Sequence, residues 1–129
     1  MGSSIIIERM DGKMLFQLRD NKPNIRNPNK WDLFGGGIED NETPINAAIR
    51  ELREEINLEV KETDLKLILK VPLIKIYIYK LKINKKLSEL ELKEGKDMQF
   101  FSREEILKEK KVVTSLRILL RLYPLISLI

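Results

Sequence analysis

Three glutamates, Glu51, Glu54 and Glu55, carry the residue types and the spacing for metal chemistry in the segment GGIEDNETPINAAIRELREEINL at positions 36–58. On a helix these positions project over neighbouring turns of one side. Their like charges would repel unless a cation lay between them, and carboxylate oxygens favour hard cations such as Mg²⁺ or Mn²⁺. The alternative interpretation is a helix face whose charges are only solvated.

The composition restricts the chemistry further. The 129 residues include no cysteine and no histidine, which excludes disulfides, thiolate nucleophiles, the usual zinc ligands and histidine acid–base catalysis. Proton transfer must therefore use carboxylates, lysines or tyrosines. A net charge of +4 favours an anionic small molecule as the partner. The lysines form no basic block with interleaved aromatics, so we do not expect nucleic acid to be the partner.

The acidic segment must lie on a helix. Thr43 is a good N-cap and Pro44 suits the first helical position. Asn57 closes the helix, because asparagine readily takes the left-handed cap conformation. The apolar residues between them are spaced as one buried stripe: Ile45, Ala48, Ile49, Leu52 and Ile56.

Strands are predicted on both sides of this helix. Asp11-Gly12 indicates a hairpin between SIIIER and KMLFQLRD, and a loop rich in Asn and Pro follows. WDLF reads as a short strand that enters a glycine turn at positions 35–37. Further strands are predicted at 65–71, 75–83, 90–95 and 97–102, with a turn at Gly95. Ser102 and Glu105 form a capping box, and a last helix begins near Thr114.

This order of elements predicts one layered α/β or α+β domain over residues 1–129. The start is too short for a signal peptide, and the apolar segment 112–129 is interrupted by Arg117 and Arg121 and is too short to span a bilayer. We therefore expect a cytoplasmic protein without a membrane partner. The final helix is expected to dock on the domain or to form a homodimer.

The spacing of Gly36, Glu42, Arg50 and the three glutamates resembles the Nudix box of the Nudix hydrolases. Asn57 departs from that pattern, which has a glycine there, but asparagine tolerates the same cap geometry. The resemblance implies an α/β/α sandwich with a mixed sheet. It also implies cleavage of a nucleoside diphosphate linked to another group, with Mg²⁺ or Mn²⁺.

Carried over position by position, the resemblance assigns roles within the box. Glu51, Glu54 and Glu55 would hold the metals, and the backbone of Gly36 and Gly37 would contribute near the metal and the substrate. Arg50 would orient the helix carboxylates. The two structural positions are Glu42, which would support the loop, and Asn57.

The resemblance leaves the general base open between Glu51 and an acid on a later loop. KEGKDMQFF offers Glu94 and Asp97, and the resemblance favours Asp97. Relatives of MutT type have a glutamate where this chain has Gln99, and their purine-reading asparagine has no clear counterpart here. Both differences argue against a specificity for oxidised guanine.

Substrate contacts outside the box are predicted from residue type. Arg19 and Arg26, in the loop before the box, are candidates to meet phosphates, although a solvated loop is an equal alternative. Trp31 and Phe34 offer rings that could stack on a base or pack in the core.

The first functional hypothesis is a nucleoside triphosphate pyrophosphohydrolase that releases a nucleoside monophosphate and pyrophosphate. A nucleotide-sugar or dinucleoside polyphosphate hydrolase would keep the chemistry and change the leaving group. A non-catalytic nucleotide-binding module is the third alternative, and the presence of all three box glutamates argues against it.

Overall fold

Seven strands and three helices form the secondary structure of residues 1–126, the part of the chain that the computed structural model describes, apart from two single turns of 3₁₀ helix. The strands are β1 (Gly2–Arg9), β2 (Met14–Leu18), β3 (Trp31–Asp32), β4 (Phe34–Gly37), β5 (Leu65–Val71), β6 (Ile76–Ile83) and β7 (Asp97–Phe101). The helices are α1 (Pro44–Ile56), α2 (Arg103–Leu107) and α3 (Thr114–Ile126).

The strands form one mixed sheet. β1 runs parallel to β6 and antiparallel to β2 and β4, so it is the central strand. The main path through the sheet is β3-β2-β1-β6-β5, while β4 pairs with β1 and β7 pairs with β2. The predicted hairpin after β1 is confirmed, with Gly12 at φ +88° in the turn.

The alternation of side chains along β1 separates two hydrophobic layers. Ile5 and Ile7 are fully buried in the cluster that holds α1. Ile6, which points to the other side, is buried in the cluster that holds α2 and α3. The helices therefore cover both faces of the sheet, and the predicted α/β/α sandwich with a mixed sheet is confirmed.

Helix α1 begins and ends at the residues that the sequence predicts. Thr43 Oγ1 accepts a hydrogen bond from the Asn46 N–H at 3.2 Å. Asn57 adopts the left-handed conformation, at φ 54° and ψ 35°, and caps the last turn. The buried side includes Ala48, Leu52 and Ile56 of the predicted stripe. Ser3 of β1 also donates to the Pro44 carbonyl at 2.7 Å, which ties the start of α1 to the sheet.

Two predicted elements are wrong. The glycines at 35–37 do not form a turn but strand β4, which pairs with residues 2–4 of β1. At Gly35 a Cβ would lie 2.3 Å from the Ser3 carbonyl oxygen, so the glycine permits close strand approach. Residues 90–95 contain no strand. Leu90 and Leu92 instead pack against the α1 side of the core from a loop. Their alternation with polar residues, which predicted a strand, reflects the burial of these two loop side chains.

Helix α3 continues through Pro124, which has no N–H to offer the Leu120 carbonyl one turn earlier. The Nε–H of Arg103, on α2, donates to that carbonyl at 2.7 Å instead. Among the described residues, no helix has the length and apolar character to cross a membrane. The end of the predicted apolar tail, residues 127–129, lies outside the described residues, and the homodimer stays a prediction.

Candidate active site

The acidic side of α1 lies against the glycine strand β4. At Gly36 a Cβ would come within 2.4 Å of Glu51 Oε1 and 2.8 Å of its Cδ. With the Glu51 carboxylate in this position only glycine fits at residue 36, and a larger residue would displace the end of the Glu51 side chain. Gly36 and Glu51, fifteen positions apart in the sequence, thus form one contact surface.

Arg50 connects the acidic groups around it. Its Nε and Nη2 donate to the two carboxylate oxygens of Glu42 at 2.8 and 3.0 Å, and Nη2 also donates to the Gly37 carbonyl at 2.9 Å. Its Nη1 donates to Glu51 at 3.0 Å and to Glu54 at 3.2 Å. Arg50 is therefore placed to orient the helix carboxylates, as the resemblance implies. Glu42 in turn accepts from the Glu39 N–H at 3.0 Å, which braces the loop before the helix.

Glu55 is the most buried of the three helix glutamates, at 4% exposure. One carboxylate oxygen accepts from the Gly35 N–H at 3.0 Å, and the other from Gln17 Nε2 at 3.3 Å. Burial and then the nearby charge of Glu51 raise the pKa of Glu55 to about 8. The two hydrogen bonds favour the ionised form but do not compensate for the lost hydration.

Negative charge accumulates around this carboxylate. Burial raises the pKa of Glu51 as well, although Arg50 acts in the opposite direction, and the charge of Glu54 adds to the rise. Glu94 acts on both Glu51 and Glu55 in the same sense. Glu94, Glu55 and Gln17 also line one cavity of about 140 Å³. Four carboxylates thus share a site where their charge is incompletely balanced.

The donor set fits a hard divalent cation, although the described residues include no three acidic side chains already arranged as ligands for one ion. Arg50 holds Glu51 and Glu54, while Glu55 is turned toward β4 by the Gly35 N–H. The raised pKa values of Glu51 and Glu55 show that further positive charge would be favourable there. Oxygen ligands with uncompensated charge are what Mg²⁺ and Mn²⁺ require.

The structure places the two candidate loop acids, Asp97 and Glu94, in different surroundings. Asp97 begins β7, pairs with Leu18 in the sheet and is exposed. Its carboxylate accepts from the Met98 N–H at 2.8 Å. Glu94 comes before the turn at Gly95, where φ is +96°, and that turn leaves Glu94 beside the helix carboxylates.

Two predicted phosphate contacts, Arg19 and Arg26, lie near the glycine strand, and Arg19 also lines the cavity that holds Glu55 and Glu94. They line a cleft of about 420 Å³ together with the backbone of Gly35, Gly36 and Gly37. The Arg19 Nε–H donates to the Arg26 carbonyl at 2.7 Å, which fixes the loop that carries both side chains. The guanidinium groups of Arg19 and Arg26 and the glycine backbone therefore lie next to the acidic cluster. An anionic group such as a phosphate could bind between these arginines and the cluster.

Phe34 does not contact this cleft. Its side chain is fully buried in the α1 layer of the core, so its predicted role in stacking on a substrate base is wrong. The pairing of β4 with β1 turns the ring toward α1. Trp31 packs edge-on against Phe101 with ring centroids 4.9 Å apart, which supports the packing alternative for that ring.

Sequence reasoning missed Gln17. Its amide donates to the Leu33 carbonyl at 3.0 Å and to Glu55 at 3.3 Å, and the side chain is 4% exposed. The signal was a polar residue in the buried strand MLFQL. A buried amide needs partners, so this position indicates a hydrogen-bonded role behind the site.

Comparison with known proteins identifies the family. A family model described as NUDIX domain matches residues 1–123 of the chain. The MutT protein from Methanosarcina mazei Go1 has a similar fold, with a TM-score of 0.73 at 20% sequence identity, covering 98% of this chain and 93% of that one.

Two curated relatives are similar over shorter segments. An 8-oxo-dGTP diphosphatase from Proteus vulgaris is 51% identical over 35 residues, which are 27% of this chain and 31% of the relative. An RNA pyrophosphohydrolase from Halorhodospira halophila is 41% identical over 54 residues, which are 42% of this chain and 26% of the relative. The matched segments thus make up less than a third of either relative.

Proposed function

The chain belongs to the NUDIX domain family, and from that premise we propose that it hydrolyses a phosphoanhydride bond in a nucleoside diphosphate linked to another group. A nucleoside triphosphate, cleaved to the monophosphate and pyrophosphate, is the first candidate. The observation that carries the proposal is the contact of Gly36 with Glu51, which joins the acidic cluster to the glycine-lined cleft.

Glu51, Glu54 and Glu55 would hold Mg²⁺ or Mn²⁺. A divalent ion supplies charge neutralisation at the bridging phosphates and lowers the pKa of bound water. The chain itself supplies the remaining functions. Arg19 and Arg26 bind phosphate oxygens, and the glycine backbone permits close approach of the diphosphate. Arg50 orients Glu51 and Glu54 through hydrogen bonds to both carboxylates.

We assign the proton acceptor for the attacking water to Glu94. Glu94 lies on a loop and lines the same cavity as the helix carboxylate Glu55. The raised pKa values of Glu51 and Glu55 show that charge in this cluster is costly, and a proton taken up there would relieve it. Glu51, the alternative acceptor, already bonds Arg50 at 3.0 Å.

Glu94→Gln is expected to lower kcat by about a hundredfold, within the range that general acid–base catalysis contributes. Asp97→Asn, the matched change three residues along, is expected to leave kcat within about threefold, because amide oxygen still accepts from the Met98 N–H. Steady-state kinetics of both variants with saturating Mg²⁺ would check this. The opposite order of the two rates would return the role to Asp97.

The proposed activity predicts Mg²⁺- or Mn²⁺-dependent turnover across a panel of nucleoside triphosphates, nucleotide sugars, dinucleoside polyphosphates and RNA with a 5′-triphosphate. Product analysis separates the candidates, because pyrophosphate with a nucleoside monophosphate indicates the first one. A sugar phosphate or a second nucleotide indicates the alternatives. Metal-dependent nucleotide binding without any turnover would instead support the non-catalytic module.

A further inference from the structure

A largely apolar cleft extends from the phosphate end of the site to α3. The cavity that holds Arg19 and Arg26 adjoins a second one of about 380 Å³, and the two share Ser4, Asp32, Leu33 and Ile76 as lining residues. The far wall of the second cavity is aliphatic and is formed by Leu69, Ile74, Ile118 and Leu122. A diphosphate held beside the glycine strand would therefore place its remaining part between the sheet and α3.

Asp32 lies at the junction of the two cavities and is the one acidic residue among those lining either of them. One of its carboxylate oxygens accepts from the Leu33 N–H at 2.8 Å, which fixes the side chain. A carboxylate can accept about four hydrogen bonds. The aliphatic wall offers no donor, and the side-chain donors of the lining, Ser4, Ser115, Arg19 and Arg26, make no described hydrogen bond to Asp32, so acceptor capacity remains.

The charge of Asp32 is incompletely compensated. Burial raises its pKa, and the Leu33 N–H and the charge of Arg19 only partly oppose that effect. A ligand that brings N–H donors to this carboxylate would supply the missing hydrogen bonds. Such bonds discriminate between ligands, because a mismatched ligand that covers the carboxylate leaves it unpaired.

We propose, building on the function proposed above, that Asp32 determines specificity by accepting hydrogen bonds from a ring with two adjacent N–H donors, as in the N1–H and 2-amino group of guanine. The aliphatic wall would cover the faces of that ring. This reading is independent of the asparagine that the chain lacks. Asp32 acts on substrate selection and has no part in proton transfer at phosphorus.

Other nucleobases fit this carboxylate less well. Hypoxanthine keeps the N1–H but has no 2-amino group, so it offers one donor instead of two. Adenine presents the N1 lone pair beside its amino group, and that lone pair would face a negative oxygen. Uracil has a single N–H between two carbonyl oxygens. The pair that isolates the effect is therefore guanine against hypoxanthine, which differ only by the amino group.

Equilibrium binding of GDP and IDP to the full chain, without added metal and with a chelator, tests the proposal apart from turnover. GDP is expected to bind about tenfold or more tightly than IDP, the size of discrimination of one lost polar contact. In Asp32→Asn, whose oxygen can still accept from the Leu33 N–H, the preference should fall to about threefold or less. Asp64→Asn, an exposed aspartate outside the cleft, serves as control and should keep the full preference.

Equal binding of GDP and IDP to the unaltered chain would overturn the proposal, as would an unchanged preference in Asp32→Asn. The comparison in the unaltered chain needs no variant to fold. Hydrolysis of the nucleotide panel is measured separately. Turnover without a guanine preference would remove the role of Asp32 and leave the proposed function standing. A guanine preference that depends on Asp32, without turnover of any nucleotide, would support the role of Asp32 and contradict the proposed hydrolysis.

Discussion

Glutamine in place of Glu54 is expected to lower kcat by about a hundredfold or more while leaving the fold intact. If Glu54 is one of the metal ligands as proposed, its loss weakens the binding of the cation and so removes positive charge that neutralises the phosphate oxygens. The fold should not change, because the Glu54 side chain is 47% exposed and its described contact is one hydrogen bond from Arg50 at 3.2 Å. A glutamine oxygen can accept that bond.

Glu59→Gln is the matched control for this variant. Glu59 is 69% exposed and pairs with Arg53 at 2.9 Å just beyond the end of α1, so it makes a comparable ion pair outside the site. Its substitution should leave kcat within about twofold, as exposed ion pairs contribute little. The measurement is kcat as a function of Mg²⁺ concentration, with circular dichroism to check the fold. A Glu54→Gln enzyme that works at nearly the normal rate would sink the metal assignment.

The second large effect concerns stability. In the metal-free protein the pKa of Glu55 is about 8, above its ordinary value of 4.5, so the folded state holds this proton more tightly than the unfolded state. Stability from this group is therefore fully present below pH 4.5 and falls as the pH rises toward 8. At about 1.4 kcal/mol per pKa unit, the free energy of unfolding should fall by about 3–5 kcal/mol across that window. Glu51, with a raised pKa, contributes in the same direction.

Glu55→Gln should remove most of this pH dependence and make the metal-free protein more stable than the original chain at pH 8. The variant loses one hydrogen bond, from Gln17 at 3.3 Å, because its new NH2 group would face the Gln17 donor, at a cost of about 1–3 kcal/mol. That cost is smaller than the free energy gained by removing the buried charge. The free energy of unfolding at pH 8 is therefore expected to rise. Urea unfolding at pH 5, 7 and 9 in a chelator, with Glu59→Gln as control, measures both slopes. A slope shared by all three proteins would mean that Glu55 is not the titrating group.

Addition of Mg²⁺ at pH 8 should then restore stability to the original chain more than to Glu55→Gln, because a ligand that binds only the folded state stabilises it. A larger gain in unfolding free energy for the original chain than for Glu55→Gln would indicate that Glu55 takes part in binding Mg²⁺. It holds whether or not the tested nucleotides are turned over.

The sequence alone determined the parts of this protein that depend on local spacing. Thr43, Pro44 and Asn57 define α1 through hydrogen bonds within a few residues, and the apolar stripe defines its buried side. The same short-range spacing placed Glu51, Glu54 and Glu55 on one side of the helix and carried the family resemblance. Alternating and helical periodicities predicted only a layered α/β or α+β domain, and the α/β/α arrangement came from the family resemblance.

The tertiary structure decided every feature that depends on residues distant in the chain. Gly36 is needed because Glu51 packs on it, and Gly35 because β1 passes within contact distance, where local reasoning saw only a turn. Phe34 went to the core, and Glu94 rather than Asp97 came next to the helix acids. Strand pairing and loop path set these positions, through packing and solvation energies that arise only when the distant segments meet. The spacing of the three helix glutamates can thus be seen in the sequence. The burial of Glu51 and Glu55 and the raised pKa values that result arise only in the folded chain.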